Sequence, residues 1–462
     1  RYAAKMQLKM SLLRAAKAAS PAVARNFSST SVASAAEKVP VFVRGVRTPF
    51  TTSGSDYEDY MAYDLQREAM KGLIKKTAID PKEIDYVCTA TVIQEVLTSN
   101  IAREASLTAG IPNSVPSHTV TLACIGSNIA TSTGIDKIKT GQSQVYLAGG
   151  VELMSDLPIR FSRPIRKRLI KSTKMKTPAQ YLSLLSGLTA ADLAPVAPGV
   201  AEFATGEIMG HSADRLCAAF GVSRLDQDIF AARSHQKAFE AQQAGLFDEE
   251  IVRVKHSSKD HFITADNGIR PSTPEQLAKL KAAFIKPHGT VTAANSSFLT
   301  DGASASLIME EQKCFDLGMT PRSILKDYVF VACDPVDQLL LGPSFATAKL
   351  LKKNGLTMAD IGVWEFHEAF AGQVLANLEA MDNDTWCKKW LGHDKIGRIP
   401  MEQLNTRGGS LSIGHPFGAT GTRLLTWASD RLKHDDKQFA IVTACAAGGQ
   451  ATAMLLERHA AY

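Results

Sequence analysis

The sequence predicts an α/β protein built from two duplicated halves, with helices buried between mixed sheets and an insertion domain carried on the first half. Three observations predict it. The chain repeats itself: "IKKTAIDPKEIDYVCTATVIQEV" from Ile74 can be laid on "LKKNGLTMADIGVWEFHEAFAGQV" from Leu351, which pairs Ile84 with Ile361 and Ala90 with His367. Each copy leads to a helix rich in Gly, Ser and Thr and then to an apolar strand, "QVYLAGGVELM" in one half and "FAIVTACAAGG" in the other. Strands that alternate with helices in this way imply mostly parallel sheets with helices against their faces.

The chain is long enough for two or three domains with proper cores, at 462 residues and 45% hydrophobic content. Residues 1–36 hold six basic residues (Arg1, Lys5, Lys9, Arg14, Lys17, Arg25) and no acid. This Ser-rich leader, amphipathic in its first half, reads as a mitochondrial transit peptide. Without it, the 52 Lys+Arg fall to 46 against 46 Asp+Glu. The body is charge-balanced, so no nucleic-acid partner is expected. No apolar run reaches the ~18 residues of a membrane-spanning helix. Seven cysteines, an odd number without a CxxC pair, fit a reducing compartment better than a disulfide framework.

The first half is placed at 37–310 and the second at 311–462, with the insertion at about 156–289. The insertion has a different texture. It carries helical stretches such as "SRLDQDIFAARSHQKAFEAQQAGLF", a short strand candidate "EEIVRVK", and the run "PIRFSRPIRKRLIKSTKMK". That run has eight Lys/Arg between Arg160 and Lys176 and no acid, interleaved with Ile, Phe, Leu and Met. A solvated loop accounts for it, and so does contact with an anionic membrane or a docking partner.

Four residues stand where chemistry is placed in such folds. Cys124 follows the apolar strand His118–Leu122 and opens a small-residue helix, where free amides and the helix dipole favour a thiolate. His415 lies in the glycine-rich loop "GGSLSIGHPFGATG" before a second such helix. Cys445 follows the strand "FAIVTA", and His367 follows "GVWEF", at strand ends where open α/β sheets bind ligands. A buried inert thiol or a structural histidine would account for any one of them. A duplicated fold can bring all four to one cleft.

The segments "TLACIGSNIA", "TAANSSFLTDGASA", "HEAFA", "GGSLSIGHPFGATG" and "TACAAGGQ", in this order from Val39 to Arg458, resemble the thiolases. "TATVIQEV", "GGVELMSDLPIR", "MGHSADRL", "DQLLLGP" and "FHEAFAGQVLAN" resemble a subfamily, the β subunits of mitochondrial trifunctional β-oxidation complexes. The resemblance implies a long-chain 3-ketoacyl-CoA thiolase, with a monofunctional degradative or acetoacetyl-CoA thiolase as the alternative and a non-catalytic scaffold as the reading from another class. It implies Cys124 as nucleophile, His415 as its activator, and Cys445 as acid and then base. His415 and a water held by His367 would bind the enolate oxygen. The backbone amides of Cys124 and Ala447 would form a second oxyanion site, and Ser297 would contact the pantetheine arm of CoA.

The sequence departs from the family pattern at three places: Ala447 replaces a glycine, His367 an asparagine, and Ile208 a histidine that contacts pantetheine. Neither a GxxxxGK[ST] nor a complete GxGxxG motif is present, so CoA is expected as a substrate, with no cofactor and no metal. Partners implied by the resemblance are 3-ketoacyl-CoA, an α subunit with hydratase and dehydrogenase activity, a β–β homodimer core, and a peripheral contact with the matrix side of the inner membrane, cardiolipin included.

Overall fold

The computed structural model describes residues 38–462; the leader expected at 1–36 lies outside them. The first half runs β1 (Pro40–Arg47), β2 (Thr51–Thr52), α1 (Ala62–Thr77), β3 (Tyr86–Ala90), α2 (Ile101–Thr108), β4 (Ser117–Val120), α3 (Gly126–Lys139) and β5 (Val145–Glu152). The insertion follows, with α4 (Arg163–Ser172), α5 (Pro178–Ser183), α6 (Met209–Phe220), α7 (Arg224–Gln243) and the ribbon of β6 (Val254–Lys255) and β7 (Phe262–Ile263). The chain then returns as β8 (Thr300–Glu310). The second half contains β9 (Ser323–Ala332), α8 (Gly342–Asn354), β10 (Val363–Phe366), α9 (Ala371–Met381), α10 (Thr420–His434), β11 (Phe439–Ala446) and β12 (Gln450–Arg458).

Local chemistry sets these elements. In α1, Leu65, Ala69, Met70 and Leu73 recur at helical spacing and are buried, while the Asp64 carboxylate accepts the Met61 N–H at the N-terminus. Ser223 and Asp226 form a capping box at the start of α7, and α8 stops at Gly355, whose φ of 64° is the left-handed C-terminal turn. Pro164 and Pro178 stand in the first turns of α4 and α5, so they start short helices in the basic segment. The expected strand "EEIVRVK" shrinks to Val254–Lys255, because Ile251 is used instead in a bridge to Arg47.

The strands form one sheet in the order β10-β11-β12-β9-β1-β8-β5-β3-β4. About the central β9/β1 contact the order is palindromic: β12 mirrors β8, β11 mirrors β5, and β10 mirrors β3. This is the duplication made visible. Only the β10/β11, β5/β3 and β3/β4 pairs are parallel, so the sheet is mixed and the expectation of mostly parallel sheets is corrected. The reason lies in one connection. The strands β11 and β12 are joined by residues 447–449 alone, which permits only an antiparallel hairpin. The equivalent strands of the first half, β5 and β8, are also antiparallel, and residues 153–299, insertion included, fill the place of that three-residue turn.

The small-residue helices α3 and α10 meet at their N-terminal ends. A Cβ on Gly421 would lie 2.8 Å from the Asn128 amide nitrogen, and one on Gly126 would lie 2.8 Å from the Ala90 Cβ. The Thr422 N–H donates to Ser127 Oγ at 3.0 Å. Close approach of backbones is what the Gly/Ser/Thr composition provides. Arg47 of β1 fastens the insertion to the sheet: fully buried, it pairs with Glu250 at 2.6 Å and Asp266 at 2.6 Å.

Candidate active site

Cys124 sits at a sharp turn between β4 and α3. Ala123 before it has φ 42°, a left-handed conformation rare for alanine, and Leu122 and Cys124 form a bridge across it. The turn brings Sγ to groups of the second half. The N–H groups of Ala447 and of Cys124 itself are directed at the sulfur. Burial, together with the nearby Glu152 and Glu202 carboxylates, nevertheless pushes the thiol up to about 12. The two amides and the helix end that the sequence displays act against that rise.

The structure brings both histidines to this sulfur. One donor atom each from Cys124, His367 and His415 lies within 4.8 Å of the others, and the two imidazole centroids are 4.1 Å apart. His367 is held because β10 runs parallel to β11, so its N–H reaches the Thr443 carbonyl at 2.9 Å. His415 is held from two sides: its N–H donates to Thr300 Oγ1 at 3.0 Å, and its Nδ1 lies 2.6 Å from Thr420 Oγ1.

The hydroxyl partners set the tautomers. Thr420 Oγ1 donates to the Pro416 carbonyl at 3.0 Å, so it accepts from His415 Nδ1–H and leaves the Nε2 lone pair free. Ser410 Oγ accepts from Arg423 Nη2 at 2.9 Å, so its hydrogen is available for His367 Nδ1 at 3.1 Å, which leaves the proton on Nε2. Both Nε2 atoms are buried with no protein partner. One ring thus presents an acceptor and the other a donor. Burial and, for His415, the Arg423 cation push that imidazole down to about 3. His367 is lowered well below its ordinary value by burial, His415 and Arg423.

Cys445, near the end of β11, is 2% exposed. Burial and then the proximity of Cys124 raise its thiol. The turn after it carries positive φ at Gly448 (79°) and Gly449 (70°). Ala447 thus needs no glycine-only conformation, which removes the steric objection to alanine there. Glu202, from the insertion, accepts the Gly448 N–H at 2.8 Å.

Ser297 is half-buried beside the His367 turn, since its N–H donates to the Ala369 carbonyl at 2.9 Å and Asn295 receives the Ala371 N–H. A cavity of about 650 Å³ adjoins it, lined among others by Arg270, Ser272, Phe298 and Leu411. Phe298 follows Ser297 and Leu411 belongs to the His415 loop. Ile208 stands at the N-cap position of α6 and gives it no side-chain cap.

Sequence reasoning missed the residues that position these groups. Thr420, Ser410 and Arg423 orient the imidazoles. Glu368 accepts from Ser234 (2.7 Å), Asn405 (2.8 Å) and the Leu411 N–H (3.3 Å), tying the His415 loop to the His367 turn. A signal existed for Glu152 and Glu368: each is the only acid of a quoted stretch, "QVYLAGGVELM" and "HEAFA".

Comparison with known proteins gives the following. The family model described as "Thiolase, N-terminal domain" matches residues 40–312, and "Thiolase, C-terminal domain" matches residues 319–458. The human "Trifunctional enzyme subunit beta, mitochondrial" is 56% identical over 420 residues, 91% of this chain and 88% of the relative. A "Probable 3-ketoacyl-CoA thiolase" of Caenorhabditis elegans is 53% identical over 443 residues, 95% of this chain and 99% of the relative. The crystal structure of human mitochondrial 3-ketoacyl-CoA thiolase in complex with CoA has a TM-score of 0.76 at 28% identity, covering 92% of this chain and 98% of the other.

Proposed function

The chain belongs to the thiolase family, and on that premise we propose that it cleaves long-chain 3-ketoacyl-CoA with CoA in mitochondrial fatty-acid β-oxidation, as the β subunit of a trifunctional assembly. It is an acetyl-CoA C-acyltransferase. The observation that carries the mechanism is the convergence of Cys124, His367 and His415 within 4.8 Å, one ring offering an acceptor and the other a donor.

His415 Nε2 takes the Cys124 proton as Sγ attacks the 3-keto carbon. A half-buried neutral thiol next to a neutral imidazole suits this transfer, because the ion pair forms when substrate is present. Cleavage of the C2–C3 bond leaves an acyl thioester on Cys124 and the enolate of acetyl-CoA. The His367 Nε2–H, directly or through a water, and the His415 imidazolium stabilise the enolate oxygen; donors preorganised in a dry site typically contribute ~3 kcal/mol each.

Cys445 gives its proton to the enolate carbon and is left as a thiolate when the acetyl-CoA so formed departs. Its thiolate then deprotonates incoming CoA, whose sulfur attacks the acyl carbon. The tetrahedral oxygen is held by the Cys124 and Ala447 amides, and Cys124 recovers its proton from His415. The reaction needs no cofactor, since CoA is a substrate. We read the Cys/His/His cluster as a proton-transfer set rather than a metal centre. The 650 Å³ cavity beside Ser297, with Arg270 as its cation, suits the CoA arm and its phosphates.

For partners, the edge strand β4 ends the sheet and offers unpaired backbone to a second copy, which supports a β–β core joined by α subunits. The α4–α5 segment supports a peripheral contact with the inner membrane. Ile159, Phe161, Ile170, Leu182 and Leu185 are exposed there beside the eight basic residues, and no described helix is long and apolar enough to cross a membrane. Each basic residue near an anionic surface contributes roughly 1 kcal/mol. Replacing Arg166, Lys167, Arg168 and Lys171 with Gln should weaken binding to cardiolipin liposomes or α association and leave thiolysis of short substrates intact; unchanged binding to both refutes this role.

The function is tested by thiolysis of 3-ketoacyl-CoAs of graded chain length, with and without the α subunit, and by mass spectrometry of the trapped enzyme. An acyl adduct on Cys124 and preference for long chains support the reading. Equal or better turnover of acetoacetyl-CoA favours the other thiolase class, and turnover in Cys124→Ala removes Cys124 as nucleophile.

A further inference from the structure

A second cavity, of about 530 Å³, opens between β1, the end of α1, the loop before β9 and the end of α10. It shares no lining residue with the cavity beside Ser297. Arg44, Lys76, Arg322 and Lys433 line it together with Tyr462, and no Asp or Glu is among its lining residues. The length of α10 separates it from the reacting groups: Thr420, which holds His415, stands in the first turn and Lys433 in the last, ~20 Å away at 1.5 Å per residue.

The four cations are gathered by the fold. The Glu249 carbonyl accepts from Arg44 Nη2 at 3.1 Å and from Lys76 Nζ at 2.7 Å, so two of them meet at one oxygen. The Glu249 carboxylate lies 3.3 Å from Arg44 and 3.4 Å from Arg322. Arg322 and Lys433 share the Tyr462 ring, at 5.5 and 4.3 Å from its centroid. Val43 is the extra residue of a bulge in β1, with no partner across on β8, and a bulge re-aims the side chain beside it. Here that side chain is Arg44.

The fold answers these charges only in part. Lys76 donates to the Asp248 and Glu249 carbonyls, and among the described residues neither Lys76 nor Lys433 pairs with a carboxylate. Arg44 Nε is buried without a partner. Asp430 pairs with Arg322, whereas Glu249, its side chain 74% exposed, serves Arg44 and Arg322 together at long range. Cations in the last turn of a helix offset its dipole, which accounts for Lys76 and Lys433. It does not account for Arg44 and Arg322, which come from a strand and a loop.

We propose that this cavity is a second ligand site, separate from the CoA cavity, and that it binds the diphosphate group of a small diphosphate ester, one phosphate at Arg44 and Lys76 and the other toward Arg322 and Lys433. Guanidinium and ammonium groups gathered in this way match phosphate oxygens, and Glu249 is the exposed counter-ion that the ligand displaces. A nucleotide and CoA itself both carry such a group.

Calorimetry of the full chain with inorganic pyrophosphate, ADP and CoA at low ionic strength tests this, with thermal melts as the folding control; it needs no turnover, so its result stands apart from the thiolase assay. Pyrophosphate should bind at one site per chain. Lys76→Gln and Lys433→Gln should each weaken it roughly tenfold, the worth of one charge-assisted hydrogen bond, while KM for CoA in thiolysis stays at the wild-type value. Glu249→Gln should tighten it, because the competing acid is gone, and Arg270→Gln in the CoA cavity should leave it unchanged. Binding of ADP identifies a nucleotide as the source; a second CoA binding event that disappears in Lys76→Gln identifies CoA. No pyrophosphate binding to the wild-type chain, or undiminished binding in both lysine variants, overturns the proposal. Loss of binding in Arg270→Gln places pyrophosphate in the CoA cavity and overturns it as well. Pyrophosphate bound with neither ADP nor CoA overturns the diphosphate ester, and weaker binding in Glu249→Gln overturns the displacement.

Discussion

Gly150 lies on β5 directly beneath the His415 loop, and replacing it with alanine should disable the enzyme without touching any reacting group. A Cβ at this position would stand 2.5 Å from the carbonyl carbon of Gly418, nearer still to its oxygen, and 3.2 Å from the Ala90 carbonyl oxygen. Carbon atoms settle at about 3.5 Å, so the loop must retreat by roughly 1 Å. Nothing behind Gly150 can give way instead, because β5 is buried along its length and hydrogen-bonded on both sides.

A retreat of 1 Å would stretch the 3.1 Å bond from Gly418 to Glu152 beyond hydrogen-bonding range and carry His415 away from Cys124. Misplacement of a catalytic group by 1 Å costs on the order of 10²-fold in rate, about 2.7 kcal/mol of barrier, and overpacking costs a further ~1–3 kcal/mol in stability. Steady-state thiolysis with a medium-chain 3-ketoacyl-CoA, alongside urea denaturation, measures both. A kcat within threefold of wild type in folded Gly150→Ala refutes the claim that the loop's seat on β5 sets the His415 geometry.

Cys445→Ser should still form the Cys124 thioester slowly but lose proton exchange at the acetyl-CoA methyl, read by deuterium incorporation, because a hydroxyl is a far weaker acid than a thiol; wild-type exchange excludes Cys445 from proton transfer. With His415 lowered to about 3, its imidazole is neutral and able to accept a proton throughout pH 5–8, so kcat/KM should show no histidine limb there; an inflection near pH 6.5 that survives Glu152→Gln refutes the lowered pKa of His415. Arg47→Ala would strand the Glu250 and Asp266 carboxylates, 2% and 1% exposed. Chemical denaturation should show a loss of ~3–5 kcal/mol, and a loss under 1 kcal/mol refutes the view that this pair anchors the insertion.

The sequence by itself determined the duplication, the small-residue helices and the set of Cys124, His367, His415 and Cys445, because periodicity and composition are local properties that survive without coordinates. It could not show that β5 and β8 are antiparallel: that follows from the three-residue turn at 447–449 in the other half, and strand direction is a relation between distant segments. Only the tertiary structure decided the chemistry of the resting site. Whether Cys124 is a thiolate or a thiol depends on the balance between the helix end, which the sequence displays, and burial beside Glu152, which it does not. Likewise, His415 becomes an acceptor and His367 a donor through Thr420, Ser410 and Arg423. These partners are ordinary in sequence, and they matter because packing removes the water that would otherwise have satisfied each group alone.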